Sequence, residues 1–283
     1  MILRILTLNA GLLRLLGRIE AAPQVEARAT ALGSELRRID ADVVLLQEVY
    51  NRRHNRKLTA ELSDIYPWVA YDQRRRFFGL DNSLMTFSRH RMSSSIELFT
   101  SAPFLERIVD RKGILISRVD LGSSALTVLN THTTAGGPWF HPERAFVERI
   151  RGRQINQVLR VAGAEKGVVV IAGDFNAGPT VSRPNFQSIL RAGFVSVHDW
   201  LHPSASEFTW EPSNRLNVGG PHRMCPAQRI DHMFVQRATI EPGRLRPLHS
   251  YVCFQEESVK GTDGLMYTVS DHLGLCAEFD LAE

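Results

Sequence analysis

The stretch GVVVIAGDFNAGPT, residues 167–180, sets the terms for the rest of the chain. Val168 to Ala172 is an apolar run of strand length, and it stops at Gly173-Asp174-Phe175-Asn176. Alternate residues of an extended chain share a face. Asp174 and Asn176 are therefore expected to point one way and Phe175 the other, towards the core. A plain strand exit explains the same letters, because Asp and Asn favour turns and Gly178-Pro179 marks one. The decision lies with the other segments.

Seven further apolar runs of strand length occur at 2–8, 42–46, 83–87, 114–119, 125–130, 230–235 and 273–279. Helical patterns lie between some of them. Pro23 suits a first turn, and Val25, Leu32, Leu36 and Ile39 then share one face. A second helix begins near Pro142, with Phe146, Ile150, Ile155, Val158, Leu159 and Ala162 at helical spacing. Phe186, Ile189 and Leu190 mark a third, and Leu58, Leu62 and Ile65 another. Many strands and few helices do not make a regular βαβ alternation. The pattern fits two strand-rich sheets face to face with helices outside. Loops at 72–82, 202–228 and 254–269 would gather at one rim, and with no break in composition residues 1–283 are expected to form one domain.

The 283 residues are 43% hydrophobic and 23% charged, the balance of a soluble globule able to bury a core without staples. Cys225, Cys253 and Cys276 are too few and scattered for a disulfide framework or a CxxC metal site, so a reducing compartment, the cytoplasm, is the default. No stretch has the length of a membrane span, and arginines interrupt the apolar residues near the start, which read as mature protein. A net charge of +4 suits a phosphate-bearing substrate or an anionic surface.

The polar residues that end the apolar runs form a set. Asn9 ends ILRILTLN, Glu48 ends DVVLLQE, and Asn130 and His132 end LTVLNTH. Asp174 and Asn176 end VVVIAGDFN, Asp231 opens DHMFV, and Asp271-His272 opens the last run. One acid at a strand end is a turn or cap; six such segments suggest a shared rim. A hard divalent ion such as Mg²⁺ takes oxygen ligands and keeps open positions for phosphate and water. Glu48 with Asn9 would supply such ligands. A histidine beside a carboxylate handles protons, which suits His272. His132 and Asn176 would donate hydrogen bonds to phosphoryl oxygens, and Asp174 would orient or deprotonate the attacking water.

In this order LTLN, LLQEV, NTH, GDFN, RIDHMF and SDH resemble the motifs of the endonuclease/exonuclease/phosphatase superfamily, from Leu6 to Leu275. The resemblance implies an α+β fold, a four-layer α/β/β/α sandwich of two mostly antiparallel sheets, and metal-dependent cleavage of a phosphoester with Mg²⁺ or Mn²⁺. It implies that Glu48 is the main metal ligand, helped by Asn9, that His272 pairs with Asp231, and that Asp271 lies near the metal or the water. Asp174 and His272 remain joint candidates for the general base.

Ala177-Gly178 after Asn176, and CPAQRIDH at 225–232, depart from the inositol polyphosphate phosphatases. EFTWEPSNRLN (207–217), QEVYNRRHNRKLTAEL (47–62), IYPWVAY (65–71) and GRQINQVLRVA (152–162) resemble segments of neutral sphingomyelinases. This favours a phospholipid phosphodiester and peripheral contact with a membrane. The alternative is a nuclease: RRHNRK (52–57) and RRRFF (74–78) would track a phosphate backbone, or equally meet anionic headgroups. Arg74, Asn130, Trp139 and Phe140 are the candidate substrate contacts, with Leu265, Met266 and Tyr267 near the entrance; Trp139 and Phe140 serve equally well as a staple for the following helix. His141, His222 and His249 read as exposed loop residues without a role. A non-catalytic phosphate-binding module would be expected to have lost a charged rim residue, and none is lost.

Overall fold

A computed structural model of the chain describes residues 1–283 except 16–18, 74–79, 81, 123–124, 137–140, 221 and 283. Two six-stranded sheets make its frame. The first runs in the order Leu245–Cys253, Gly274–Leu281, Ile2–Asn9, Val43–Gln47, Met85–Ser88, Trp68–Tyr71. The second runs Phe194–Ser196, Asp231–Gln236, Val168–Asp174, Ala125–His132, Gly113–Asp120, Met92–Leu98. All eight apolar runs are strands of these sheets.

Each sheet contains one parallel pair, and every other neighbour is antiparallel. Ile2–Asn9 lies parallel to Val43–Gln47 after a connection through helix Val25–Ile39, and Ala125–His132 lies parallel to Val168–Asp174 after helix Ala145–Ala164. A parallel pair needs such a crossover, and both run their carboxyl ends to the same level.

The pleat sorts residues into layers. Leu3, Ile5, Val43, Leu45, Val128, Val170, Ala172, Met233, Ala277 and Phe279 share one cluster, to which both sheets contribute. Leu6, Leu8, Val44 and Leu46, one residue out of phase, pack with Leu32, Leu36 and Leu58 of the helices on the first sheet's outer face. Leu129, Val169 and Ile171 pack with Ile155, Val158 and Phe186 outside the second. The result is the helix–sheet–sheet–helix sandwich expected.

Some expectations need correction. The first long helix starts at Val25, with Gln24 at its cap in a left-handed conformation, so Pro23 precedes the helix. Leu62 caps helix Arg52–Glu61 and Ile65 lies beyond it. Leu190 is exposed. The segment 254–269 carries a short ribbon pairing Val259–Lys260 with Met266–Tyr267. Leu265 and Met266 are exposed there, but Tyr267 is buried in the core beside the helix Val25–Ile39, so it lines no entrance. Segments 202–228 and 254–269 do meet, through Asn214 to Thr268. Most of 72–82, and with it Arg74, lies outside the described residues, as do Trp139 and Phe140.

Candidate active site

Cross-strand register builds one wall of the site. Asp174 stands opposite His132 on one side and opposite Asp231 on the other, so three adjacent strands place three polar residues at one level. Asp174 follows Val170 and Ala172 on the face turned to the other sheet, while Phe175 turns outward and stacks edge-on against Phe234. Asn176 does not continue the pleat. It sits at φ 47°, its N–H donates to Asp174 Oδ1 at 2.8 Å, and its Nδ2 donates to the Thr133 carbonyl at 3.1 Å. The two polar residues are joined by this side-chain turn rather than by strand alternation. Gly173 is required one step earlier: at φ 141° a Cβ would lie 1.9 Å from the Thr131 carbonyl oxygen.

The first sheet supplies the facing wall. Asn9 ends its strand and donates through Nδ2 to Asp174 Oδ2 at 3.0 Å and to Glu48 Oε1 at 3.4 Å, with His272 Nε2 at 3.5 Å. Its Oδ1 accepts from the Gly11 N–H at 3.0 Å, so ligation of a metal by the Asn9 oxygen requires the amide to turn over. Glu48 follows Gln47 in a left-handed conformation, φ 59°, which costs a non-glycine residue about 1–2 kcal/mol. Burial, the nearby Asp271 charge and Asp174 push its carboxyl up to about 7, against Lys112 and His272.

His272 lies just before the last strand. Its Nδ1 meets Asp231 Oδ2 at 2.9 Å, and its Nε2 stands 4.0 Å from Asp174 Oδ2. Burial opposes its charging, but the charge and hydrogen bond of Asp231, with Asp174 and Asp271, raise its pKa to about 10. Burial and the Asp231 charge raise Asp174 to about 6, against His272 and its hydrogen bonds from Asn176 and Asn9. Asp174, Asp231 and His272 hold their ligand atoms within 4.8 Å of one another, the one such group of three among the described residues.

Two findings change the expected roles. Asn130 is fully buried, and its amide links the sheets: Nδ2 donates to the carbonyls of Leu46 and Met85, both at 3.0 Å, and Oδ1 accepts from Gln47 at 2.8 Å. Its amide is fully engaged between the sheets and has no exposed surface to offer a ligand. Lys112, which no sequence pattern marked, enters the site. Its Nζ donates to His132 Nε2 at 2.9 Å and to the Thr133 carbonyl at 3.2 Å, and Asp110 lies 3.9 Å away. His132 Nε2 also faces Asp174 at 3.5 Å and Glu48 at 3.8 Å. Burial and the Lys112 and His272 charges hold the His132 ring neutral. With Nε2 accepting from the ammonium, the proton sits on Nδ1, and the donor facing the carboxylates is Lys112.

His222 is not fully exposed. It is half-buried, and burial together with the charges of His141, His272 and Lys112 lowers its pKa, with Asp271 opposing. His141 is exposed but approaches Cys225, and His249 is exposed on a strand.

Buried carboxylates from separate segments, a histidine paired with an acid, and a lysine meet where the two sheets end, a set of groups able to move protons and to meet an anion. The chain belongs to the Endonuclease/Exonuclease/phosphatase family, matched over residues 6–272, and is a phosphoester hydrolase. No curated protein matches it in sequence. Among solved structures, the fold is similar to beta toxin of Staphylococcus aureus, 18% identical with TM-score 0.79 over 97% of this chain and 99% of that one. It is similar to Sphingomyelinase C from Streptomyces griseocarneus, 17% identical, TM-score 0.71, over 98% and 99%. It is similar too to D. rerio TDP2 complexed with a single-strand DNA product, 20% identical, TM-score 0.73, over 99% of each. Another structure of the toxin holds bound magnesium ions. No helix among the described residues is long and apolar enough to cross a membrane.

Proposed function

We propose that the chain is a one-domain, Mg²⁺-dependent phosphodiesterase that hydrolyses a phospholipid headgroup ester, as the sphingomyelinase-like segments suggest. The observation that carries the reading is the meeting of Glu48, Asn9 and His272 from one sheet with His132, Asp174 and Asp231 from the other, linked by contacts of 2.9–4.0 Å. The Asp271 charge raises the cost of ionising Glu48, and the two acids are a donor set that suits a hard divalent cation. Glu48 and Asp271, with Asn9 turned over, would hold such a cation, which would polarise the phosphoryl group and neutralise its developing charge.

The protein's own groups divide the proton work. Asp231 holds the His272 ring in place and keeps it charged, so His272 presents Nε2–H to the cleft as a donor and acid. Asp174 is ionised above about pH 6 and is the acceptor for the proton of the attacking water. Lys112 and the second Asn176 N–H face the phosphoryl oxygens.

A nuclease is the second reading, favoured by the fold shared with the DNA-bound TDP2 and by Arg52, Arg53 and Arg56 on the helix that follows Glu48. The test is parallel incubation with Mg²⁺ of sphingomyelin, phosphatidylcholine, plasmid DNA and RNA. Release of phosphocholine without nicking is the expected result. Nicking without lipid product, weakened steeply by salt, establishes the nuclease.

A further inference from the structure

The segment EFTWEPSNRLN, residues 207–217, supplies none of the cleft residues named above, yet it binds the backbone on both sides of the His272–Asp231 pair. That pair has a mechanical problem. Asp231 is the first residue of a strand in one sheet, and His272 lies two residues before a strand of the other. No ladder joins the two sheets; the shared apolar core and the Asn130 amide set their separation deeper down, so at the rim the geometry of this pair depends on what holds its own backbone.

Thr209 bridges the gap. Its side chain is fully buried, and Oγ1 accepts from the N–H groups of both Ile230 and Asp231, each at 3.1 Å. Its carbonyl accepts from the Leu273 N–H at 2.7 Å. One residue therefore holds the backbone at Asp231 and the backbone next to His272. Trp210 extends the contact, bridging to both Gln228 and His272. Further along, Asn214 Nδ2 donates to the Ser270 carbonyl at 3.3 Å, and Asn217 Nδ2 donates to the Asp271 carbonyl at 3.0 Å and back to its own strap at Glu211. Ser270 in turn donates to the Asn9 carbonyl at 2.5 Å and accepts from the His272 N–H at 3.1 Å.

We propose that Thr209 is a positioning residue for the reaction, and that the strap 209–217 sets the distance and angle at which the Asp231 carboxylate meets the His272 ring. A polar group displaced by about 1 Å from its productive position costs up to roughly a hundredfold in rate, so the effect belongs in kcat. The inference rests on the reading that His272 and Asp231 act in catalysis.

The test compares Thr209→Val, which keeps the shape and removes the acceptor, with Thr209→Ser, which keeps the acceptor. Hydrolysis of bis(p-nitrophenyl) phosphate with Mg²⁺ gives kcat and KM, and proton NMR of the substrate-free protein gives the downfield Nδ1 proton of His272. Thr209→Val is expected to lower kcat by about 10- to 100-fold with KM within about twofold, and to shift the Nδ1 signal, while Thr209→Ser restores both. A folded Thr209→Val protein with wild-type kcat and an unshifted signal overturns the proposal, as does a Thr209→Ser protein as impaired as Thr209→Val. If Thr209→Val does not fold, Asn217→Ala decides: a severalfold loss of kcat and a shifted signal support the strap, and no change in either overturns it. His272→Ala separates the two layers of the argument. Full activity in that variant removes the catalytic reading, and the NMR signal still tests whether the strap positions the ring.

Discussion

The space between the sheets has two ends that obey one rule and serve opposite purposes. At one end Leu3, Ile5, Val43, Leu45, Val128 and Val170 fill it with hydrocarbon. At the other, the same strands, still alternating two by two, present Asn9, His132 and Asp174. Between them lies a layer of hydrogen-bonded polar side chains, where Gln47 Nε2 donates to Thr7 Oγ1 at 3.1 Å and to Asn130 Oδ1 at 2.8 Å. The difference teaches that packing and chemistry here are one periodic pattern with its residue types changed along the strand. Removing side chains at one end should cost stability, and at the other turnover.

The sharpest break in that comparison is at the rim. Glu48→Ala and His272→Ala are each expected to lower kcat/KM roughly a thousandfold while the thermal midpoint stays near wild type. In the intact protein kcat/KM should rise between about pH 6 and about 7 as Asp174 and Glu48 ionise, and fall near about 10 as His272 loses its proton. Stopped assays across that range check both limbs, and Asp174→Asn should remove what remains of the rise at about pH 6 along with most of the rate. At the hydrocarbon end, Leu45→Ala should cost about 2–5 kcal/mol in urea unfolding, with kcat of the folded fraction retained.

His232 carries the comparison to the outer face. It alternates with Asp231 on the same strand, buried against Phe186 and Phe234, with Nε2 at the Ala177 and Arg229 carbonyls. Burial and the Arg229 charge hold its pKa down to about 3, against those carbonyl contacts. Below its ordinary value of 6.5 the unfolded chain takes up a proton that the folded chain refuses. This contribution to stability is therefore complete above pH 6.5 and is lost as pH falls towards 3. At pH 4.5 the loss is roughly 2–3 kcal/mol, and His232→Phe should flatten that part of the curve. The smallest effect is expected in the amide layer: Asn130→Ala should destabilise by about 1–3 kcal/mol and leave KM unchanged, which separates a sheet-linking residue from a substrate contact.

The apolar runs and their polar ends were legible because strand burial and strand termination leave marks in single segments. The edge strand Met92–Leu98, MSSSIEL, left none, since an exposed edge needs no apolar alternation. Lys112 was invisible for another reason. It reaches His132 because Ile114 pairs with Thr131, and no property of DRKG announces that register. The sequence alone does not separate Asn130 from His132, because the two share a face and periodicity does not say how deep each sits. The partial burial of His222 is not legible in its own segment, because the charges that act on it come from His141, His272 and Lys112, far off in the chain.

Ile2–Asn9 lies between Val43–Gln47 and Gly274–Leu281, so an early strand and a late one are neighbours inside one sheet. During synthesis, Asn9 must wait for some two hundred and sixty residues before His272 emerges to meet it. Until Gly274–Leu281 follows, the first strand has one unpaired edge, and on the proposed reading a chain stopped before His272 is expected to be inactive. The strand that seats His272 thus closes the first sheet around its earliest strand, so folding of the frame and assembly of the proposed site are one event.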